Sequence, residues 1–208
     1  MGFLSDFRYR HISQTATVDD LLKEAFRKSI HFGAALVPLA ARFHFSLTVS
    51  ALALALLAYV YCEYQRLHGE TIPIVSRITA IAARKRDEGR FVLGPVTLCL
   101  GILLTMLIFP LADAGLGICA LAFGDGIASL AGKLFGRRRI PHAAGKTLEG
   151  STACFLAVFL SILACTRSPG LSFILAVVSA AIEMLPLKDY DNLLIPFAIA
   201  GISFSLRY

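Results

Sequence analysis

Apolar residues run through this chain in blocks of twelve to twenty, separated by shorter stretches that collect almost all of the charge. The blocks fall at roughly 31–42, 45–62, 91–110, 114–132, 150–166, 171–187 and 192–206. A straight bilayer crossing takes ~20 apolar residues, so the shorter blocks predict tilted or re-entrant spans. The pattern predicts an all-α polytopic membrane helix bundle of about seven transmembrane helices, with six as the rival count. Two connections stand out, 63–90 and 133–149, and a third polar stretch runs over the first thirty residues.

Composition supports this reading. Hydrophobic residues make up 57% of the 208 and the mean hydropathy is +0.72, against roughly 45–50% apolar in soluble domains. No linker, low-complexity tract or fixed-period repeat divides the chain, so residues 1–208 read as a single integral membrane domain. Residues 1–30 hold no apolar run of signal-peptide length and are expected to form a cytoplasmic N-terminal segment. Cys62, Cys99, Cys119, Cys154 and Cys165 lie in or beside apolar blocks without paired spacing and read as small core residues.

Charge sets the orientation. With the N-terminus in the cytoplasm and seven spans, only Arg42, Arg167 and Arg207 face outward, which leaves seventeen of the twenty Lys and Arg inside. A formal net charge of +6 without aromatic interleaving points to lipid headgroups or nucleotide phosphates rather than nucleic acid. Within the 63–90 connection, Ile72 to Ala83 is moderately amphipathic and suits a helix lying on the membrane surface.

The densest polar cluster runs from Gly124-Asp125-Gly126 through Ser129 and Lys133 to Gly136, Arg137, Arg138 and Arg139, then Gly145-Lys146-Thr147-Leu148-Glu149-Gly150. Asp125 lies eight residues before Lys133, about 12 Å along a helix axis. An intramembrane carboxylate is costly and functional by default, and a hard divalent cation is its simplest partner. Gly124, Ala128 and Gly132 form a small-xxx-small row that helix packing alone explains. Gly145-Lys146-Thr147 looks like the end of a P-loop, but the upstream glycine is absent, so a Walker A loop is excluded. Backbone N–H groups, a lysine and a hydroxyl at the start of a helix still suit phosphate oxygens. Arg137 to Arg139 read equally as topology anchors.

A second cluster, Glu183 with Lys188-Asp189-Tyr190-Asp191-Asn192, is either a hydrophilic turn capping the last helix or a set of Mg²⁺ ligands. Glu24, Arg27, Lys28 and His31 fall on adjoining helical positions at the membrane edge, where an ion pair and snorkelling bases are the plain reading. The remaining histidines, His11, His44, His68 and His142, have no zinc-ligand spacing.

Taken together, Arg27-Lys28-Ser29-Ile30-His31, Glu63 with Arg66, the Gly124-Asp125-Gly126 run through Lys133 and Gly136, Lys146-Thr147-Leu148-Glu149-Gly150, and Glu183 through Asp191-Asn192-Leu193 resemble the membrane diacylglycerol/polyprenol kinase family. That family includes dolichol kinase, phytol kinase and the CTP-dependent diacylglycerol kinase, and is distantly related to phosphatidate cytidylyltransferase. The resemblance implies a cytoplasmic-side active site that moves a phosphoryl group from a nucleoside triphosphate, CTP or ATP, to the hydroxyl of a lipid alcohol, with Mg²⁺ or another divalent cation. It casts Asp125, Lys133, Lys146 and Glu149 as catalytic. Gly124, Gly126, Lys133, Gly136, Arg137, Lys146 and Thr147 would hold the nucleotide. Asp125, Glu149, Asp189 and Asp191 would hold metal, and Arg27, Lys28, His31, Glu63 and Arg66 would meet the lipid substrate or headgroups.

A cytidylyltransferase is the neighbouring alternative, although its acidic signature and His-Gly-Gly are missing here. A small secondary transporter would also use a glycine-broken helix with a buried acid, but at the midplane rather than on one side. A bacterial cytoplasmic membrane is the expected location.

Overall fold

The computed structural model describes residues 18–70, 89–141, 143 and 145–207. The amphipathic stretch predicted over Ile72 to Ala83 lies outside the described residues. Within them the protein is all-α apart from one isolated bridge between Arg139 and Thr147.

Helix α1 spans Val18–Ala34 and is inside out relative to a soluble amphipathic helix. Glu24, Lys28 and His31, at i, i+4 and i+7, are buried, whereas Leu22, Phe26 and Ile30 are exposed. This arrangement suits a helix whose outer face meets lipid and whose inner face lines a polar site. A turn closed by Ala35 and Leu36 N–H groups on the Phe32 and Gly33 carbonyls leads to the seven-residue α2, Val37–Phe43. The stretch 31–42 is thus shared between two helices, because Pro38 starts a new helix at its first turn.

Six apolar helices come next along the chain. Helix α3, Phe45–Leu67, is peripheral. Helix α4, Gly94–Ile108, ends where Pro110 takes extended backbone and begins the next helix. That next helix is continuous over Leu111–Phe135, but its middle is wound differently: α5, Leu111–Cys119, passes into a π-turn at Ala120–Asp125 and then into α6, Gly126–Phe135. Helices α7, Leu148–Thr166, α8, Pro169–Glu183, and α9, Asp191–Ser205, complete the bundle. The helices 45–67, 111–135 and 148–166 are long and apolar enough to cross a membrane, and 94–108, 169–183 and 191–205 are shorter apolar helices. Together they form an all-α membrane helix bundle.

Burial ranks them. In its most apolar window the 111–135 helix is 61% buried and α3 is 0% buried, so the former is the central post and the latter faces outward along its length. The core around the post is made by Ile118, Leu121, Val158, Ile162, Leu175, Ile195 and Ile199. Lipid tails are as apolar as these side chains, so close backbone approach has to draw the helices together. A Cβ on Gly101 would stand 2.3 Å from the Asn192 carbonyl oxygen, and one on Gly117 would stand 2.2 Å from that of Pro196. Both glycines let α9 lie directly on α4 and α5. The predicted row Gly124, Ala128 and Gly132 does pack: Gly124 faces Cys154, Val158 and Ser179, while the Ala128 carbonyl and Gly132 lie against Gly150.

Candidate functional site

The π-turn ends on Asp125. An extra residue in one helical turn rotates the rest of the helix about its axis, and such turns recur at functional positions. Here the carboxylate is buried ten residues before the end of α6, about 15 Å along the axis.

Three elements converge on Asp125. From α1, Lys28 donates to Asp125 Oδ2 in an ion pair buried on both sides. His31 Nε2 lies 3.2 Å from the same oxygen and 3.1 Å from Asn192 Oδ1. Asn192 in turn donates from Nδ2 to Thr97 Oγ1 at 3.2 Å, which anchors it to α4. From the α8 and α9 ends come Glu183 and Asp191, both buried. Asp125, Glu183 and Asp191 each bring one carboxylate oxygen within 4.8 Å of the others.

Lys146 closes the cluster. The 136–147 loop doubles back through Ile140 N–H to the Lys146 carbonyl at 2.9 Å and Leu148 N–H to the Arg138 carbonyl at 2.9 Å. Gly145 at φ +88° supplies the turn before the lysine. Its Nζ then lies 3.2 Å from Glu183 Oε1 and 3.4 Å from Asp191 Oδ2. Thr147 caps α7 by accepting from Gly150 N–H at 3.1 Å. Glu183 Oε2 is buried without a hydrogen-bond partner among the described residues. A carboxylate oxygen left so is expensive, and three acids around it have the donor chemistry of a divalent-cation site.

The other candidate residues lie around this cluster or apart from it. Lys133 Nζ pairs with Glu24 Oε2 at 2.7 Å, and Arg27 pairs with the other oxygen of Glu24. Burial raises the Glu24 pKa, but Arg27, Lys133 and Lys28 outweigh it and hold the carboxyl below its ordinary range. Those contacts, with Phe32 over Gly126, clamp α1 antiparallel across α6. Glu149 stands apart from the acid cluster and accepts from Arg138 N–H at 3.2 Å. It shares a groove of about 640 Å³ with Phe135, Arg137, Arg138 and Leu156. Asp189 is outside the carboxylate trio, near Gly94. Gly136 carries Thr147 over its Cα. Glu63 takes Arg66 at 2.8 and 2.7 Å and Val92 N–H at 2.8 Å, while Arg66 also donates to the Arg90 carbonyl at 2.7 Å. This clamp ties the end of α3 to the start of α4.

Glu183 and Asn192 read from sequence as members of a polar cluster, either a capping turn or Mg²⁺ ligands, and their separate positions on two helices give no signal that they meet Asp125. Asp113 falls in the gap between the 91–110 and 114–132 blocks, yet it is buried in α5. There it accepts from Ser203 Oγ at 2.6 Å and faces Arg207 Nε at 3.1 Å.

Fold and site therefore define a membrane helix bundle with a buried cluster of carboxylates, lysines and a histidine. The chain is similar to several phytol kinases. It is 29% identical to a probable chloroplastic phytol kinase of Triticum aestivum over 141 residues, covering 59% of this chain and 46% of the relative. With a probable chloroplastic phytol kinase 1 of Glycine max it shares 26% over 170 residues, covering 72% and 56%. With a phytol kinase of Synechocystis sp. it shares 33% over 104 residues, covering 46% and 45%. These matches support membership of the polyprenol/phytol kinase family. The chain spans about half the length of the curated relatives it matches. No family model and no solved structure matches it.

Proposed function

We propose that this protein is a membrane lipid kinase that moves the γ-phosphoryl group of CTP or ATP to the hydroxyl of a lipid alcohol, of phytol, polyprenol or diacylglycerol type. The observation that carries the reading is the meeting of Asp125, Glu183 and Asp191 with Lys28, His31 and Lys146 inside an apolar bundle. The phytol kinases it is similar to supply the acceptor class.

Phosphoryl transfer asks a protein mainly for positioning and for neutral surroundings as charge spreads over the phosphoryl oxygens. Asp125, Glu183 and Asp191 would hold a divalent cation such as Mg²⁺, which supplies charge neutralisation at the phosphates. Lys146, on its short loop, meets the nucleotide phosphates. Arg137 and Lys133 add further basic groups for those phosphates. Asp125 takes the proton of the lipid hydroxyl, and His31, whose Nε2 faces both Asp125 Oδ2 and Asn192 Oδ1, orients that carboxylate. Lys28 fixes the Asp125 carboxylate in place for that role. The nucleotide arrives on the basic face, which we assign to the cytoplasm with the N-terminus, and the bacterial inner membrane is the assigned location. The lipid alcohol enters sideways from the adjoining leaflet.

The test supplies purified protein with Mg²⁺, phytol, polyprenol, diacylglycerol and phosphatidate, and nucleotide labelled separately at the α and γ phosphates. Label reaching an alcohol from the γ position alone is the expected result. Label reaching phosphatidate from the α position would identify a cytidylyltransferase instead, and no label from CTP or ATP would leave the kinase reading without support.

A further inference from the structure

The carboxylate trio is already provided with cations. Lys28 serves Asp125, and Lys146 bridges Glu183 Oε1 and Asp191 Oδ2 at 3.2 and 3.4 Å. A Mg²⁺ ion sits about 2.0–2.1 Å from its oxygens, so an ammonium in hydrogen-bonding reach of both acids occupies the same small space. Two cations that close repel strongly where little water penetrates. One of the two lysines must therefore leave when a metal enters. The two differ in how they are held. Lys28 is 1% exposed and projects from the middle of α1, where Glu24 and Phe32 lock the helix to α6. Lys146 is 19% exposed and stands on a loop, directly after Gly145 at φ +88°.

We infer that Lys146 is an exchangeable counter-ion: it holds Glu183 and Asp191 together while no metal is bound, and a divalent cation displaces its ammonium away from the two acids, where nucleotide phosphates receive it. The inference rests on the reading of the trio as a divalent-cation site. The unpartnered Glu183 Oε2 is a separate indication that Lys146 leaves ligand capacity unused. The device couples the two substrate components. A metal that arrives with its nucleotide gives the lysine a new partner, whereas a metal arriving alone has to strand it in solvent. Bare metal therefore binds more weakly than the nucleotide complex, which keeps the acids from being occupied unproductively.

The experiment titrates Mn²⁺ into the purified full chain without nucleotide, reading free Mn²⁺ by electron paramagnetic resonance. Lys146→Gln removes the competitor, and because affinity follows the charge count of the site, binding should tighten by about tenfold. Lys146→Arg keeps a cation and should bind Mn²⁺ as the parent does, while Glu183→Gln should weaken binding in either background. Equal or weaker Mn²⁺ binding by Lys146→Gln would overturn the exchange. A second measurement needs no variant: amine-reactive labelling of Lys146 in the unmodified protein, quantified by peptide mass spectrometry, should rise several-fold on adding Mg²⁺ while Lys28 stays protected. Labelling that Mg²⁺ leaves unchanged would overturn the exchange equally. Tightened Mn²⁺ binding in a protein that phosphorylates no lipid alcohol would retain the exchange and remove the kinase reading alone.

Discussion

Lys28 on α1 and Asp125 at the end of the π-turn form an ion pair that is buried on both sides and joins segments ninety-seven residues apart. Such a pair gains little over a well-packed apolar pair, but removing one partner leaves an uncompensated charge and costs about 3–5 kcal/mol. Lys28→Met should therefore lower the thermal stability of the detergent-solubilised protein by that amount. Lys28→Met combined with Asp125→Asn should recover part of the loss. Asp125→Asn alone should abolish lipid phosphorylation, and full activity in that variant would remove Asp125 from the chemistry. Equal unfolding temperatures for Lys28→Met and its parent would mean that the pair is not formed in the membrane-extracted protein.

The contact of α9 with α4 and α5 depends on two missing side chains. An alanine at Gly101 or Gly117 would press its Cβ on a backbone carbonyl, at 2.3 and 2.2 Å, and backbone cannot rotate away as a side chain can. Overpacking of this kind costs about 1–3 kcal/mol. Gly101→Ala should also reduce turnover, because the carbonyl it displaces belongs to Asn192, the partner of His31. Gly170→Ala, at a helix start with nothing within 4 Å, is the control and should leave melting temperature and turnover unchanged.

The apolar blocks were legible in the sequence because hydrophobic length is dictated by the bilayer, and they recur as α3 to α9 with shifted ends. Asp125 was legible for the same reason, as a charge inside an apolar block. Two features were hidden. The 31–42 block contains no charge before its last residue, so only Pro38 hints that it is shared by two helices. The polar positions of α1 read as an ion pair with snorkelling bases at the membrane edge, because periodicity identifies an amphipathic face without saying whether water, headgroups or protein cover it. Glu183 illustrates the remaining limit: it lies fifty-eight residues from Asp125, and only the packing of α8 on the central helix brings them together. Asp189, two residues from Asp191, has the same chemistry and lies outside the trio, so residue type alone could not choose between them.

Thr147 connects the basic loop to α7. Its hydroxyl accepts from Gly150 N–H, and its side chain lies against Gly132 and Gly136, so the loop is registered on α6 at the same point. Thr147→Val keeps the shape and deletes the acceptor, which should cost about 1 kcal/mol. Because Lys146 is the adjoining residue, its aim at Glu183 and Asp191 should loosen too. The expected kinetic signature is a raised KM for the nucleotide with a smaller fall in kcat, and Thr147→Ser should restore both. A pure loss of stability, with KM unchanged, would confine Thr147 to capping.

Asp113 offers the opposite test, a buried carboxylate remote from the site. It is 1% exposed and sits twelve residues before Asp125, about 18 Å away along the helix. Its partners Ser203 and Arg207 close the far end of α9 against the start of α5. Arg207 is 45% exposed, so water can re-solvate it when the acid is removed. The buried Ser203 hydroxyl cannot be served so readily, and leaving such a donor unpaired costs about 1–3 kcal/mol. Asp113→Ala should accordingly lower the melting temperature while the specific activity of the folded fraction stays near that of the parent. An intramembrane acid is read as functional by default, and here the surroundings argue otherwise: both polar partners already satisfy one Asp113 oxygen, and among the described residues Asp113 belongs to no group of three or more potential metal ligands. Loss of turnover in a well-folded Asp113→Ala protein would show that the two ends of the central helix are coupled.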